Sequence, residues 1–294
     1  MTKQEWRRVG FGLLFISPWI LGFFAFTVYP MFASIYFSFT DFNILNFNPN
    51  WIGLENYVEM FRFDRYFPLS LSVTFRYAAM LIVLGNLITI PTAMLLNTKV
   101  RGLSWYRTLL FLPVMTPAIA SALTWVWILN PKYGLINGIL AGLGIEGPYW
   151  LASPNTALAS LVIVAIWHSG TAVLIYLAGL QDIPAHLLEA AEIDGAGFLR
   201  RTFYITLPLL TPQIMFNVIT GLILALQEFS SPFVMTGGGP NNSTLMYGLY
   251  LYRRAFLDLR MGYASAMAWL LFIMILALTI IMLRASKRWV NYSR

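Results

Sequence analysis

The chain has 294 residues, of which 59% are hydrophobic and 11% are charged, whereas a soluble domain has roughly 45–50% apolar and about 25% charged residues. A soluble fold cannot bury this much apolar surface, and the absence of cysteine excludes disulfides and thiolate metal sites. The net charge of +7 lies in short basic clusters between long apolar runs, which is typical of a membrane protein and not of a nucleic-acid-binding face.

Six long stretches nearly free of charged residues predict transmembrane helices. A helix rises about 1.5 Å per residue, so about 20 apolar residues cross the roughly 30 Å hydrocarbon layer. The predicted spans are residues 11–34, 75–97, 108–129, 157–180, 207–228 and 262–283. The first apolar run is too long for a cleaved signal peptide. The expected fold is therefore an all-α integral membrane protein, with one transmembrane domain over residues 1–294.

Two further uncharged stretches are not expected to span the membrane. Residues 133–145 are too short and rich in glycine. Residues 229–252 contain the sequence Thr236-Gly237-Gly238-Gly239-Pro240, which favours turns. Turns would leave the backbone polar groups of this second stretch without hydrogen-bond partners in lipid. Neither stretch is therefore counted among the spans.

The distribution of basic residues predicts that both termini are cytoplasmic. An even number of spans places both termini on one side, and cytoplasmic loops carry an excess of Lys and Arg. With the termini inside, the cytoplasmic side holds twelve of the 19 basic residues: Lys3, Arg7, Arg8, Lys99, Arg101, Arg107, Arg200, Arg201, Arg284, Lys287, Arg288 and Arg294. The outer loops collect Trp and Tyr, which suits either the membrane interface or contact with an extracytoplasmic partner.

The cytoplasmic loop between the fourth and fifth spans, residues 181–206, is the most informative segment. Pro184 suits the first turn of a helix, and Gly195 suits its end. Ala190 and Ala191 are small, so that another surface can approach this helix closely. The loop therefore predicts a short helix that binds a cytoplasmic partner.

The spacing within this loop resembles the signature of binding-protein-dependent ABC importer permeases. Glu189-Ala190-Ala191 is followed after three residues by Gly195, after nine more by Ile205, and after one more by Leu207-Pro208. Weaker motifs resemble the carbohydrate branch of that family, including Gly53-Leu54-Glu55-Asn56-Tyr57 and Thr236-Gly237-Gly238-Gly239-Pro240. Over nearly its whole length the chain is similar to the maltose-type and glycerol-3-phosphate-type permease subunits.

This resemblance implies the permease subunit of an ATP-driven importer in the bacterial inner membrane. The implied partners are a second permease subunit, two ATPase subunits, an extracytoplasmic solute-binding protein, a carbohydrate substrate and membrane lipid, without nucleic acid. The implied ATPase-coupling residues are Glu189, Ala190, Ala191, Asp194 and Gly195. The sequence contains no G-x-x-x-x-G-K-[ST] loop to bind phosphates, so no cofactor is expected on this chain, and ATP with Mg²⁺ is expected on the partner ATPase.

Polar groups within a membrane are costly and therefore mark candidate substrate contacts. The fourth span offers Trp167, to stack on a sugar ring, with His168 and Thr171 to bond hydroxyls. In the fifth span, Gly221, Leu224, Ala225 and Glu228 are spaced to share one helix face, which the resemblance aligns with the sugar-site face of the larger maltose permease. Four further residues are weaker candidates and are expected to be helix-packing groups instead: Asn86, Trp125, Trp127 and Asn217.

Three alternatives remain at this point. The first is a non-sugar substrate such as glycerol 3-phosphate. Glu228 would repel its phosphate group, which disfavours this substrate but does not exclude it. An ion-coupled secondary transporter would use His168 and Glu228 as a relay, although it would leave the signature loop unexplained. A membrane enzyme is disfavoured, because the chain has two histidines in separate regions and no metal-spaced or catalytic cluster.

Overall fold

The computed structural model describes residues 3–45, 48–98 and 101–290, with side chains from Phe11 onward. Of the basic residues that support the predicted orientation, Lys99 and Arg294 lie outside the described residues, as do the side chains of Lys3, Arg7 and Arg8. The described residues form helices joined by loops, and an isolated β-bridge joins Thr40 to Trp51. The expectation of an all-α fold is therefore confirmed for this part of the chain.

The α-helices follow one another with few long loops. In chain order they are α1 (Lys3–Phe23), α2 (Tyr29–Ser38), α3 (Glu55–Arg62), α4 (Tyr66–Leu96), α5 (Leu103–Phe111), α6 (Ala118–Ile128), α7 (Leu135–Gly142), α8 (Ala157–Trp167), α9 (Gly170–Gln181), α10 (Ala185–Ile193), α11 (Phe198–Arg201), α12 (Leu207–Leu209), α13 (Thr211–Leu226), α14 (Ser230–Met235), α15 (Tyr247–Tyr252) and α16 (Met261–Ser286). Short π-helical segments occupy Phe24–Val28, Thr202–Thr206 and Arg253–Leu257, and a 3₁₀ turn occupies Leu112–Met115.

Three continuous helical segments are long and apolar enough to cross a membrane. They are Phe11–Ser38, Tyr66–Leu96 and Met261–Ser286, with 28, 31 and 26 residues. They overlap the first, second and last predicted spans, although α4 begins at Tyr66 and not at the predicted residue 75. At about 1.5 Å per residue, the 31 residues of α4 are longer than the roughly 30 Å thickness of the hydrocarbon layer.

The other three predicted spans each fall on two helices joined at a sharp bend. The bend is 103° between Leu103–Met115 and α6, 50° between α8 and α9, and 65° between Phe198–Leu209 and α13. At the first bend Thr116 is extended, with ψ 136°, because a residue before proline disfavours the helical conformation. The described chain thus has three continuous candidate spans, and up to six if each bent pair is one span.

The chain divides into two compact units, one of Met1–Asp64 and Leu251–Phe272, the other of Arg65–Tyr250 and Ile273–Arg294. In the first unit, Asn56 of α3 is buried and donates from Nδ2 to the carbonyl oxygens of Ser38 and Thr40, both at 2.9 Å. Carbonyls at the end of a helix lack partners within it. Asn56 therefore caps the end of α2, which gives the Gly53–Tyr57 motif a structural role.

Within this first unit, a cluster of charged side chains joins α3 and the residues just after it to α16 and the segment just before it. Arg260 donates hydrogen bonds of 2.6 and 2.5 Å to Glu59, and Arg254 donates one of 3.3 Å to Asp64. Tyr263 also donates to Asp64, at 2.5 Å, so that this buried carboxylate has hydrogen-bonding partners. The hydrogen-bonded Arg260 guanidinium holds the pKa of Glu59 below its usual value, and the pair is ionised at neutral pH.

In the second unit, α4, α9 and the segment around α12 enclose an apolar core. Its buried members are Ala93, Leu96, Val173, Tyr176, Leu177, Leu180 and Leu210. The Tyr176 hydroxyl donates a hydrogen bond to Asn86 Oδ1, and Asn217 Nδ2 donates to the Ala172 carbonyl at 3.3 Å. Both asparagines thus bond across helix pairs, as expected of packing groups.

Candidate functional site

The signature loop contains a helix, α10, that ends in two specific backbone hydrogen bonds. Gly195 has φ +76°, its N–H donates to the Glu192 carbonyl at 3.0 Å, and the Ala196 N–H donates to the Ala191 carbonyl at 2.9 Å. These two bonds form a Schellman motif, which requires a left-handed residue after the helix and strongly favours glycine there. The glycine of the signature is therefore the residue that ends α10.

The helix α10 has no buried residue and presents its side chains to the surroundings. Ile193 is 87% exposed, and the segment that follows adds exposed Phe198, Phe203 and Tyr204. The ion pair from Arg201 to Glu192, at 2.7 Å, is largely exposed and contributes only about 0.2–1 kcal/mol. An uncovered apolar surface of this kind is suited to contact with another protein. The predicted ATPase-coupling residues all lie on α10 or directly after it: Glu189, Ala190, Ala191, Asp194 and Gly195.

The fourth predicted span is interrupted at the residues proposed to contact the substrate. Trp167 is the last residue of α8, His168 and Ser169 lie in the break, and Thr171 is in the first turn of α9. The Trp167 ring is 43% exposed and meets the Trp125 ring edge-to-face, with centroids 5.6 Å apart. The structure thus places Trp167, His168 and Thr171 together at a 50° bend.

His168 has one ring nitrogen bonded and one free among the described residues. Nδ1 lies 3.1 Å from the Val164 carbonyl oxygen, so Nδ1 carries the proton and donates in the neutral ring. Nε2 is buried and has no hydrogen-bond partner in the described part of the chain. In this tautomer Nε2 is an acceptor, which a hydroxyl group can satisfy.

The group on the fifth predicted span is only partly brought together. Gly221, Leu224 and Ala225 are all in α13, but Leu224 is 67% exposed and Ala225 only 2%. The helix ends at Leu226, so the expected common helix face does not extend to Glu228. The Glu228 Oε1 atom instead accepts a hydrogen bond of 2.8 Å from the Ser231 N–H, in the first turn of α14. This bond satisfies an N-terminal amide of α14 and gives Glu228 a structural role.

Two features of this region were not predicted from the sequence. Trp125, expected to be a packing group, forms an aromatic pair with the candidate Trp167. Gly170 brings the first turn of α9 close to α5, since a Cβ atom there would lie 2.6 Å from the Leu110 carbonyl oxygen. A glycine within an uncharged run gives no sign of such an approach.

Comparison with known proteins decides the family. Residues 85–291 match the family described as "Binding-protein-dependent transport system inner membrane component". The chain belongs to this family. The match includes the α10 loop, both groups of candidate substrate residues, the C-terminal part of α4 and the candidate spans that follow it.

Relatives of this family member match along nearly its whole length. It is 42% identical to the probable ABC transporter permease protein YesP of Bacillus subtilis, covering 96% of this chain and 92% of YesP. It is 36% identical to the sulfoquinovosyl glycerol permease protein SmoG of Agrobacterium fabrum, with 95% and 92% coverage. It is 33% identical to the trehalose/maltose permease protein MalF of Thermococcus litoralis, with 97% of both chains covered.

A solved structure has the same fold. A chain of a bacterial ABC transporter involved in the import of the acidic polysaccharide alginate superposes with a TM-score of 0.84, covering 98% of this chain and 100% of that chain at 22% identity. The fold of this family member is therefore that of an ABC importer permease. Membership confirms that the chain is a transport subunit and not an enzyme, and it excludes the ion-coupled secondary transporter.

Proposed function

We propose that this chain forms half of the membrane pathway through which an ATP-driven importer takes up a carbohydrate. In this proposal the chain crosses the bacterial inner membrane six times, at about residues 11–34, 75–97, 108–129, 157–180, 207–228 and 262–283, with both termini cytoplasmic. Each bent helix pair is one of these spans. Its partners are a second permease subunit, two ATPase subunits and an extracytoplasmic solute-binding protein.

The observation that carries the proposal is the uncovered helix α10. Its small residues Ala190 and Ala191 allow close approach, and its end is fixed by the left-handed Gly195. We assign α10, within the loop 181–206, as the helix that docks on an ATPase subunit. ATP and Mg²⁺ bind to that subunit, and this chain receives the movement through Glu189, Asp194 and their neighbours on α10. The ATPase can shift the permease from one conformation to another only if it binds one of the two conformations more tightly.

We assign the substrate contacts to the bend of the fourth span and the end of the fifth. Trp167 offers a ring face for stacking on a sugar, and the free Nε2 of His168 accepts from a hydroxyl. Thr171 and the α13 residues Gly221, Leu224 and Ala225, with Glu228 beyond them, complete the assigned pathway. The substrate class follows the names of SmoG and MalF, which designate a sugar glycoside and disaccharides as cargo. A carboxylate in the pathway favours a neutral or amino sugar over glycerol 3-phosphate.

Purification of the tagged chain from its native membrane in mild detergent tests this function. We expect recovery of a second permease and an ATPase, with ATP hydrolysis stimulated by a sugar-loaded solute-binding protein. Uptake in cells is expected to stop on ATP depletion and to survive collapse of the ion gradients. Recovery of the chain alone, with uptake that survives ATP depletion, would overturn the proposal.

Substitution of Glu228 separates its structural role from substrate contact. In Glu228→Gln the amide oxygen can still accept from the Ser231 N–H, so we expect unchanged thermal stability and a several-fold higher KM for uptake, because a charge-assisted bond to the cargo becomes a neutral one. Glu228→Ala also removes the cap and is expected to cost about 1 kcal/mol of stability. Unchanged KM and uptake rate in Glu228→Gln would remove Glu228 from the pathway.

A further inference from the structure

The helix α7, in the loop between the third and fourth predicted spans, has two different faces. Leu135, Ile139 and Leu143 follow one another at intervals of four residues and are 64%, 58% and 70% exposed. On the other side, Asn137, Gly138 and Ala141 line a shallow pocket whose rim includes Lys132, Glu146 and Tyr149. One face is therefore an uncovered aliphatic ridge, and the other face lines the pocket.

The orientation of this ridge is fixed by hydrogen bonds within the loop. Asn137 Nδ2 donates to the carbonyl oxygens of Pro131, at 3.1 Å, and Pro148, at 3.2 Å, while Trp150 Nε1 donates to Asn137 Oδ1 at 2.7 Å. The left-handed Gly144 ends the helix, with the Ile145 N–H donating to the Leu140 carbonyl at 2.9 Å. The helix thus cannot turn its aliphatic side chains inward without losing these bonds.

We propose that α7 lies in the outer interface of the membrane, with Leu135, Ile139 and Leu143 inserted among the lipid chains. This rests on the topology given above, in which the loop is extracytoplasmic. The eight residues of α7 extend about 12 Å, which is too short to cross the hydrocarbon layer. Residues 133–145 carry no charge, so nothing in α7 itself opposes entry into the interface.

The surroundings of α7 favour lipid over a protein partner. Tyr133, which is 87% exposed, lies two residues before the ridge begins, and amphipathic aromatic rings concentrate at the headgroup level. Lys132 lies at the start of the loop, where its ammonium group can reach lipid phosphates. Only six residues separate α7 from α6, whose exposed Leu123 and Trp127 belong to a candidate span. A protein interface mixes apolar anchors with polar groups, whereas this ridge has three aliphatic side chains and no polar one.

The absence of native cysteine allows a direct measurement of depth. Single-cysteine variants Leu135→Cys, Ile139→Cys and Leu143→Cys carry a nitroxide label in the complex, reconstituted in nanodiscs of phosphatidylethanolamine and phosphatidylglycerol. Ala141→Cys is the matched control, because it lies on the same helix and faces the pocket. We expect the ratio of collision with oxygen to collision with a water-soluble nickel chelate to be several-fold higher on the ridge than at Ala141→Cys.

Two outcomes would overturn this inference. One is equal access of the nickel chelate to the ridge and to the control position. The other is protection of the ridge that appears only when the solute-binding protein is added, which would make α7 a protein docking surface. Labelling of Ala141→Cys in intact cells with a membrane-impermeant maleimide tests the topology separately. Labelling only from the cytoplasmic side would contradict the proposed topology, whatever the depth of the ridge.

Discussion

Gly195→Ser is expected to lower uptake about tenfold or more, while the protein still reaches the membrane. Gly195 has φ +76°, and this conformation is roughly 1–2 kcal/mol less favourable for a residue with a side chain. The difference corresponds to about a tenfold lower population of the conformation with the two backbone hydrogen bonds that end α10. Since a Cβ at Gly195 would meet nothing within 4 Å, no clash within the chain adds to the effect. Uptake of labelled sugar and the amount of chain in the membrane provide the measurement.

A matched control lies two residues further along the chain. Gly197 also has open space around its Cβ position, but its φ is −67° and it is the N-cap residue of α11, where serine is favourable. Gly197→Ser is therefore expected to transport normally. Gly195→Asn tests the cause, because asparagine tolerates the left-handed conformation better and should retain more uptake than serine. Normal uptake in Gly195→Ser would contradict the role assigned to the end of α10.

The importance of Gly195 could be predicted from the spacing of the signature, but its physical cause could not. The sequence places a glycine after a short amphipathic segment, and this is compatible with several ways of ending a helix. The structure shows that Gly195 is the left-handed residue of a Schellman motif, with bonds to Glu192 and Ala191. A resemblance identifies which positions matter, whereas the backbone conformation explains which substitutions should fail.

Hydropathy predicts where apolar helices lie better than where they bend. The spans at 11–34 and 262–283 fall on continuous helices, because an uninterrupted apolar run is enough to specify them. Pro117 could have indicated the 103° bend, since proline disfavours a helical conformation at Thr116. The 50° bend at His168 has no proline and no charge nearby, and its local signal is the Ser169-Gly170 pair, which hydropathy alone does not detect.

The same limit explains why the predicted helix face of the fifth span is shorter than expected. His168 and Thr171 stay predicted substrate contacts, because polar groups are costly in a membrane. The prediction of a shared helix face assumed that the helix continues to Glu228, whereas α13 ends at Leu226. Helical spacing identifies a face only within one helix, and the uncharged sequence before Glu228 does not reveal where that helix stops.

Gly170→Ala is expected to destabilise the bend of the fourth span and to reduce uptake with it. The added Cβ would lie 2.6 Å from the Leu110 carbonyl oxygen and 3.0 Å from Val114 Cγ2, and a backbone oxygen cannot move aside as a flexible side chain can. Separating α9 from α5 would strain the core around Tyr176, and overpacking of this kind costs about 1–3 kcal/mol. A lower midpoint of thermal unfolding for the detergent-purified complex would show the effect.

Gly85→Ala is the matched control for this prediction. Gly85 lies inside α4, and a Cβ there would meet nothing within 4 Å. Alanine is a better helix former than glycine by about 1 kcal/mol, so this variant should be as stable as the original chain or slightly more so. If Gly170→Ala has the same unfolding midpoint and uptake as the original chain, the close approach of α5 and α9 is not needed. A loss confined to Gly170→Ala would instead make the contact at Leu110 the structural support of the bend that holds Trp167 and His168.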